Sequence, residues 1–74
     1  MLPIIAQDLL KHDLQDAEEL AAQGKPTAGY QTLAAGLERV NAIRAKAEFP
    51  WAAELVRCYE EAMEAYAREH HLKL

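Results

Sequence analysis

The chain has little of several residue types, and each shortage excludes a class of protein. It contains one cysteine, three glycines and three prolines in 74 residues. Its single cysteine, Cys58, cannot form an intramolecular disulfide, whereas small domains from oxidising compartments usually carry several disulfides. We therefore expect a protein of a reducing compartment, and the predicted location is cytoplasmic.

Long hydrophobic runs and clustered positive charge are also missing. No apolar run approaches the roughly 18 residues that a membrane-spanning helix needs. The first residues, Met-Leu-Pro-Ile-Ile-Ala-Gln-Asp, lack the basic start and the apolar core of a signal peptide. Twelve acidic and eight basic side chains give a net charge of −4. Because nucleic-acid binding needs clustered positive charge, we expect neither a membrane nor a nucleic acid as partner.

The chain is rich in residues that form helices. Hydrophobic residues make up 51% of it, and about one residue in five is alanine. Alanine loses no side-chain entropy in a helix, and few glycines or prolines interrupt the runs. A length of 74 residues permits one small domain. The composition therefore predicts a single all-α domain over residues 1–74.

Apolar residues recur at helical spacing in three segments that are separated by two stops. Gly24 and Pro26 end the first segment, because glycine accepts the left-handed conformation and proline cannot continue a helix. Thr27 is expected to cap the second helix, and Pro50 to begin the third. Short connections favour antiparallel neighbours. We expect an antiparallel three-helix bundle, or a helical hairpin plus a third helix, with helices over about residues 3–23, 27–47 and 50–71.

Two glycines interrupt the second predicted helix. Gly29 and Gly36 each cost up to about 1 kcal/mol relative to alanine inside a helix. This cost suggests that a neighbouring backbone approaches closely at both positions. Many of the other core positions are alanine, which buries little area, so the predicted core is thin. We therefore expect extra apolar surface to pack against a second copy or another protein, through the interface candidates Leu9, Leu20, Met63 and Tyr66.

A few polar side chains suggest chemistry. Asp8, His12 and Asp16 recur every four residues on one face of the first helix, a spacing at which imidazole and carboxylates can reach one divalent cation. A solvated acidic face is the alternative interpretation. Cys58 lies in the middle of a helix on the apolar stripe, which favours a buried small hydrophobe over a nucleophile. His70 and His71 are expected near a helix C-terminus, where a protonated imidazole interacts favourably with the helix dipole.

Residues 20–37 resemble the turn and second helix of a tetratricopeptide-type hairpin. The family's turn glycine and its alternating small and large positions fall on Gly24, Gly29, Leu33, Gly36 and Leu37. Asp13 and Asn41 occupy positions where the family carries tryptophan and proline. The resemblance implies helical hairpins that bind peptides or partner proteins.

The sequence as a whole predicts a non-catalytic protein without a cofactor. We expect a helical protein–protein interaction module, acting as a homodimer or as a small adaptor or chaperone-like subunit. One alternative is a small metal- or ligand-binding bundle that uses Asp8, His12 and Asp16. A second alternative is a small acidic inhibitor or antitoxin-like regulator, which small size and acidity suggest.

Overall fold

The computed structural model describes residues 2–46 and 49–73 and shows three α-helices and, within these ranges, no strand. They are α1 (Ile4–Ala22), α2 (Pro26–Lys46) and α3 (Pro50–Glu69). The helices form a bundle of about 37 × 23 × 18 Å. The α1–α2 and α2–α3 contacts are extensive, and the direct α1–α3 contact is slight. The predicted all-α bundle is confirmed, with helix limits that differ from the expected ones by one or two residues.

A left-handed glycine ends α1 as predicted. Gly24 has φ +81°. Its N–H donates to the carbonyl oxygen of Ala21 at 3.0 Å, and the N–H of Lys25 donates to that of Leu20 at 2.9 Å. These two bonds occupy carbonyl groups that the end of a helix leaves without partners. Only three residues, 23–25, separate α1 from α2, so the two helices fold back on each other.

Proline marks the beginning of each helix, although in two cases the details differ from the prediction. Pro3 is the extended residue before α1 and not its first helical residue. Pro26 is the first residue of α2, so Thr27 lies inside the helix and the expected Thr27 cap is wrong. Pro50 begins α3 as expected, because its missing N–H would have no partner in the first turn. Phe49 precedes it in extended conformation and stacks on Trp51, with ring centroids 5.2 Å apart.

The third helix ends at Glu69, two residues earlier than predicted. His71 has φ +56°, the left-handed conformation that glycine adopts after α1. The N–H of Leu72 donates to the carbonyl oxygen of Ala67 at 2.9 Å, which repeats the bond pattern at the end of α1. Leu72 then packs against the core, which fixes the chain just beyond the helix.

The core is small and rich in alanine, as the sequence predicts. It consists of two clusters of buried side chains. One lies where α1 begins, α2 ends and α3 begins, and contains Ala6, Val40, Leu55, Val56 and Tyr59. The other lies towards the opposite end and contains Ala17, Leu33 and Tyr66.

Two tyrosines of α3 pass over the two glycines of α2. A Cβ atom at Gly36 would lie 2.7 Å from the ring of Tyr59, and one at Gly29 would lie 2.6 Å from the backbone oxygen of Ala17 and would overlap the hydroxyl of Tyr66. The predicted approach of a neighbouring backbone is confirmed at Gly29, where the Tyr66 side chain is a further neighbour, and is wrong at Gly36, where the neighbours are the side chains of Asp13 and Tyr59. The glycines therefore provide the space through which α3 reaches α1.

The contacts also establish the direction of each helix. Along the bundle, Asp13 of α1 lies beside Gly36 and Tyr59, and Ala17 lies beside Gly29 and Tyr66. Along the bundle in one direction, the residue numbers rise in α1 and α3 and fall in α2, so the helices run up, down and up. In the described part of the chain, no helix is long and apolar enough to cross a membrane.

Candidate interaction surface

The exposed large hydrophobic side chains lie towards one end of the bundle. Among the described residues they are Ile4, Ile5, Leu9, Ile43 and Phe49. The up-down-up order brings the start of α1, the end of α2 and the start of α3 to this end. Scattered single hydrophobics are common on protein surfaces, whereas contiguous groups of them mark interaction sites. This end is therefore the part of the described surface where contact with a partner would bury the most exposed large hydrophobic side chains.

Three of these side chains share the flank where α1 meets α2, and we call Ile5, Leu9 and Ile43 the apolar patch. Their exposed fractions are 70%, 41% and 37%. Ile5 and Leu9 are one turn apart on α1 and line a cleft of about 310 Å³ together with Arg39 of α2. Ile43 lies one turn beyond Arg39 and so shares its side of α2. The patch thus lies beside the Arg39 side chain, in a cleft that Asp8, His12 and Asp13 also line.

A buried acid beneath the patch binds that basic side chain. Asp13 is 6% exposed, although it is charged. Nη2 of Arg39 donates to both of its carboxylate oxygens at 3.3 Å, and the hydroxyl of Tyr59 donates to Oδ2 at 2.5 Å. Burial raises the pKa of Tyr59, and the hydrogen bond to Asp13 and its negative charge raise it further. The three side chains link all three helices around the space beside Gly36.

The end that carries the apolar patch and the opposite end differ in charge. Residues 2–11, 38–46 and 49–58 sum to +2, whereas residues 12–37 and 59–73 sum to −5. Glu48 supplies the remaining unit of negative charge. The acidic half includes the outward carboxylates of Glu60, Glu61 and Glu64 on α3, and Glu64 pairs with Arg68 at 3.3 Å. The apolar patch therefore lies in the basic half of an acidic protein.

The structure separates the four predicted interface residues. Leu9 is exposed and belongs to the apolar patch. Leu20 and Met63 are half-buried, and Met63 packs against the second core cluster. The prediction that Tyr66 is exposed is wrong, because the residue is only 2% exposed. Its hydroxyl donates to the carbonyl oxygen of Pro26 at 2.8 Å and also lies 3.3 Å from that of Ala17, which draws this ring into the core.

The predicted metal-binding triad is not assembled as expected. Nδ1 of His12 lies 3.4 Å from Oδ2 of Asp16. The third carboxylate that comes within 4.8 Å of both belongs to Asp13 and not to Asp8. Because Arg39 and Tyr59 already bind the Asp13 carboxylate, a cation there would compete with a guanidinium and a hydroxyl.

His70 packs against the bundle. Its ring lies 4.4 Å from the ring of Tyr66, and its Nε2 is 3.5 Å from a carboxylate oxygen of Glu18 on α1. Burial raises the pKa of Tyr66, and the charges of Glu18 and Glu69 raise it further. Among the described residues Nε2 of His70 has no hydrogen-bond partner, so the ring of His70 is positioned mainly by its contact with Tyr66. It lies near the C-terminal end of α1, beside Glu18 and away from His12.

Cys58 is half-buried, so the prediction of a buried small hydrophobe is only partly met. Its neighbour Arg57 points outwards and pairs with Glu61 at 4.0 Å. This arrangement agrees with a small packing residue on the side of α3.

A second concave surface follows α1. It is a groove of about 510 Å³ whose walls are almost entirely apolar, and Leu2, Leu10 and Leu14 contribute to them. Leu10 and Leu14 pack inwards against the two core clusters, and Glu18, at the edge of the groove, lies 3.5 Å from His70, the residue that follows α3. The groove therefore lies on the side of α1 that faces α3, where the two helices have few direct contacts.

Comparison of the chain with protein-family models, curated proteins and solved structures gave no match. The fold defines a small all-α protein of three helices. The resemblance of residues 20–37 to a tetratricopeptide-type hairpin stays a prediction. The case for a function therefore depends on the side chains of this chain.

Proposed function

We propose that the protein is a non-catalytic helical interaction module that binds a second copy of itself through the apolar patch. The observation that carries this proposal is the exposure of Ile5 and Leu9 in one cleft beside Arg39, with the exposed Ile43 one turn beyond Arg39 on α2. The core of the single chain is thin, since alanines make up much of it. Surface that the monomer leaves exposed is thus available for association.

Burial of the patch supplies the driving force. Complete burial of one leucine or isoleucine side chain stabilises a structure by about 1.5–3 kcal/mol. Only the exposed fractions of the three side chains are gained on association, and on two copies these fractions offset part of the entropy that association costs. In the monomer, water covers most of Ile5 and about two fifths of Leu9 and of Ile43, and this area is what association can bury.

Charge favours a second copy as the occupant. At the patch itself, the carboxylate of Asp8 on α1 and the guanidinium of Arg39 on α2 line one cleft. A two-fold arrangement that places the start of α1 of each copy over the end of α2 of the other brings these opposite charges together. Isologous pairing of one patch with itself is the commonest form of oligomer in soluble proteins.

The concentration dependence of thermal unfolding tests the proposal. The Tm of a dimer rises with protein concentration because association stabilises only the folded state. We expect a rising Tm for the wild type over a hundredfold range of concentration. The double variant Ile5→Glu/Leu9→Glu should lose this dependence and keep its helical circular dichroism. Ala65→Glu adds a carboxylate at an exposed position of α3 and serves as the control, which should keep the dependence.

A wild-type Tm that stays constant over the whole range would contradict the proposal. Equal behaviour of the double variant and the Ala65→Glu control would also contradict it, since the patch would then not form the interface.

A further inference from the structure

The central polar group of the apolar patch is held in place before any partner binds. Arg39 uses Nη2 to bind both oxygens of Asp13, and Tyr59 holds Asp13 from the other side. The Arg39 side chain is nevertheless 62% exposed, so the rest of its guanidinium remains accessible. A guanidinium has five N–H donors in a planar fork that matches a carboxylate. Arg39 therefore keeps donors for a second carboxylate.

The surroundings of Arg39 suit a contact that excludes water. Ile5 and Leu9 line the same cleft. An arginine with apolar neighbours is typical of the residues that contribute most to binding in protein interfaces. Because Asp13 already restrains the side chain, less conformational entropy is lost when a partner binds it.

The patch also carries a carboxylate of its own. Asp8 lines the same cleft, between Ile5 and Leu9 in sequence. It is exposed and makes no ion pair with any residue in the ranges that the structure describes. One flank thus presents an accessible guanidinium on α2 and an accessible carboxylate on α1, both beside exposed aliphatic side chains. A surface with these features is complementary to a second copy of itself when the two are related by a two-fold axis.

We propose that Arg39 of each copy binds the carboxylate of Asp8 from a second copy across this axis, an inference that rests on the proposed function. The symmetry forms the contact twice, and the aliphatic side chains of both patches shield it from water. Asp13 and Tyr59 act as positioning residues, because they orient the guanidinium without touching the partner. Asp8 and Arg39 determine the register of α1 on α2, while Ile5, Leu9 and Ile43 supply most of the buried apolar area.

Reversal of one charge tests this contact. The dimer dissociation constant is measured by analytical ultracentrifugation for the wild type, Asp8→Lys and Asp8→Asn. Glu60→Lys is the matched control, since it makes the same charge change at an exposed position of α3 in the acidic half. We expect Asp8→Lys to raise the dissociation constant at least about tenfold and Asp8→Asn to raise it less. Glu60→Lys should leave it within about twofold of the wild type, because exposed charges outside the contact contribute little.

The outcomes separate the two proposals. A dimer that Asp8→Lys and Glu60→Lys affect equally would overturn the Asp8–Arg39 contact and leave the interaction module in place. A wild type that stays monomeric throughout would overturn both. The Asp8 variants should keep the monomer's helical circular dichroism, because Asp8 is exposed and outside the core.

Discussion

The hydroxyl of Tyr59 donates a 2.5 Å hydrogen bond to Oδ2 of Asp13, which joins α3 to α1. The bond is possible because α2 carries Gly36 at the point where the two side chains meet. A second pair repeats this arrangement two turns away, since Gly29 lies seven residues before Gly36 and Tyr66 lies seven residues after Tyr59. Tyr66 passes Gly29 and its hydroxyl approaches the carbonyl oxygen of Ala17. Two tyrosines, in the space that two glycines leave for them, therefore provide the hydrogen bonds that link α3 to α1.

Alanine at the glycines of α2 should destabilise the protein. Helix propensity alone predicts a gain of up to about 1 kcal/mol for each Gly→Ala change. At Gly29 the new methyl group would meet the backbone oxygen of Ala17 at 2.6 Å. We expect Gly29→Ala and Gly36→Ala to lower the free energy of unfolding by about 1–3 kcal/mol, as overpacked cores do. Urea denaturation measures the sign of the change in the free energy of unfolding. A gain in stability for either variant would show that the neighbouring residues do not approach the glycine closely.

A left-handed residue follows both α1 and α3, and substitutions at these two residues should change the stability of the fold in opposite directions. Gly24 has φ +81° and open space around its Cα, so alanine there is strained only by its backbone conformation. His71 has φ +56° without being a glycine. We expect Gly24→Ala to cost about 1 kcal/mol and His71→Gly to gain up to about 1 kcal/mol, since glycine adopts positive φ without a steric penalty. Thermal unfolding at one protein concentration measures both, and a loss for His71→Gly would contradict this account of the end of α3.

The two aspartates of the α1–α2 flank should differ in their effect on stability. Asp13→Ala leaves the Tyr59 hydroxyl without its acceptor and Arg39 without its partner. Removal of one member of a buried polar group of this kind costs about 2–4 kcal/mol. Asp8→Ala, at an exposed position, should change stability by less than about 0.5 kcal/mol. The comparison is made at a low concentration, where the proposed dimer is dissociated. Equal effects would mean that Asp13 does not link the helices.

Alkaline pH should destabilise the fold through Tyr59. Burial and Asp13 raise the pKa of Tyr59 above its ordinary value, so the folded state holds this proton more tightly than the unfolded state does. The stability that this difference provides is fully present at pH values below about 10, the ordinary pKa at which an unfolded tyrosine is half ionised. It is lost progressively as the pH rises above that value. We expect Tyr59→Phe to be less stable than the wild type near neutral pH and to lose less stability between pH 8 and 11.

Tyr30→Phe is the control for this pH dependence, since it removes a different tyrosine hydroxyl. Urea denaturation at several pH values gives the slope for each variant. A wild-type slope that Tyr59→Phe leaves unchanged would show that the proton of Tyr59 does not contribute to alkaline stability.

Much of the fold follows from the sequence because strong local signals determine it. Helical periodicity, the Gly24 stop and the Pro50 start predict three antiparallel helices, and these are observed. The cost of Gly29 and Gly36 predicts close packing, and this is observed as well. What the pattern could not show is which neighbour fills the space, because periodicity describes each helix alone.

The polar centre of the bundle was missed for a physical reason. A charged residue is normally assigned to the solvated face, so Asp13 was not counted in the core. Its position carried a signal nonetheless, because it lies seven residues after Ala6 and four before Ala17, both of which are fully buried. A second signal is that Gly29 and Gly36 are seven residues apart on α2, as Tyr59 and Tyr66 are on α3, so each tyrosine can lie against one glycine. Together they indicate an acid on the buried face of α1 with a tyrosine as its partner.

The molar mass in solution tests the central claim most directly. Light scattering after size exclusion, over a hundredfold range of loading concentration, distinguishes a chain of 8.3 kDa from a pair of twice that mass. We expect the mass of the wild type to approach that of the pair as concentration rises and to remain that of one chain for Ile5→Glu/Leu9→Glu. A wild-type mass that stays at that of a single chain at every concentration would contradict self-association through the apolar patch.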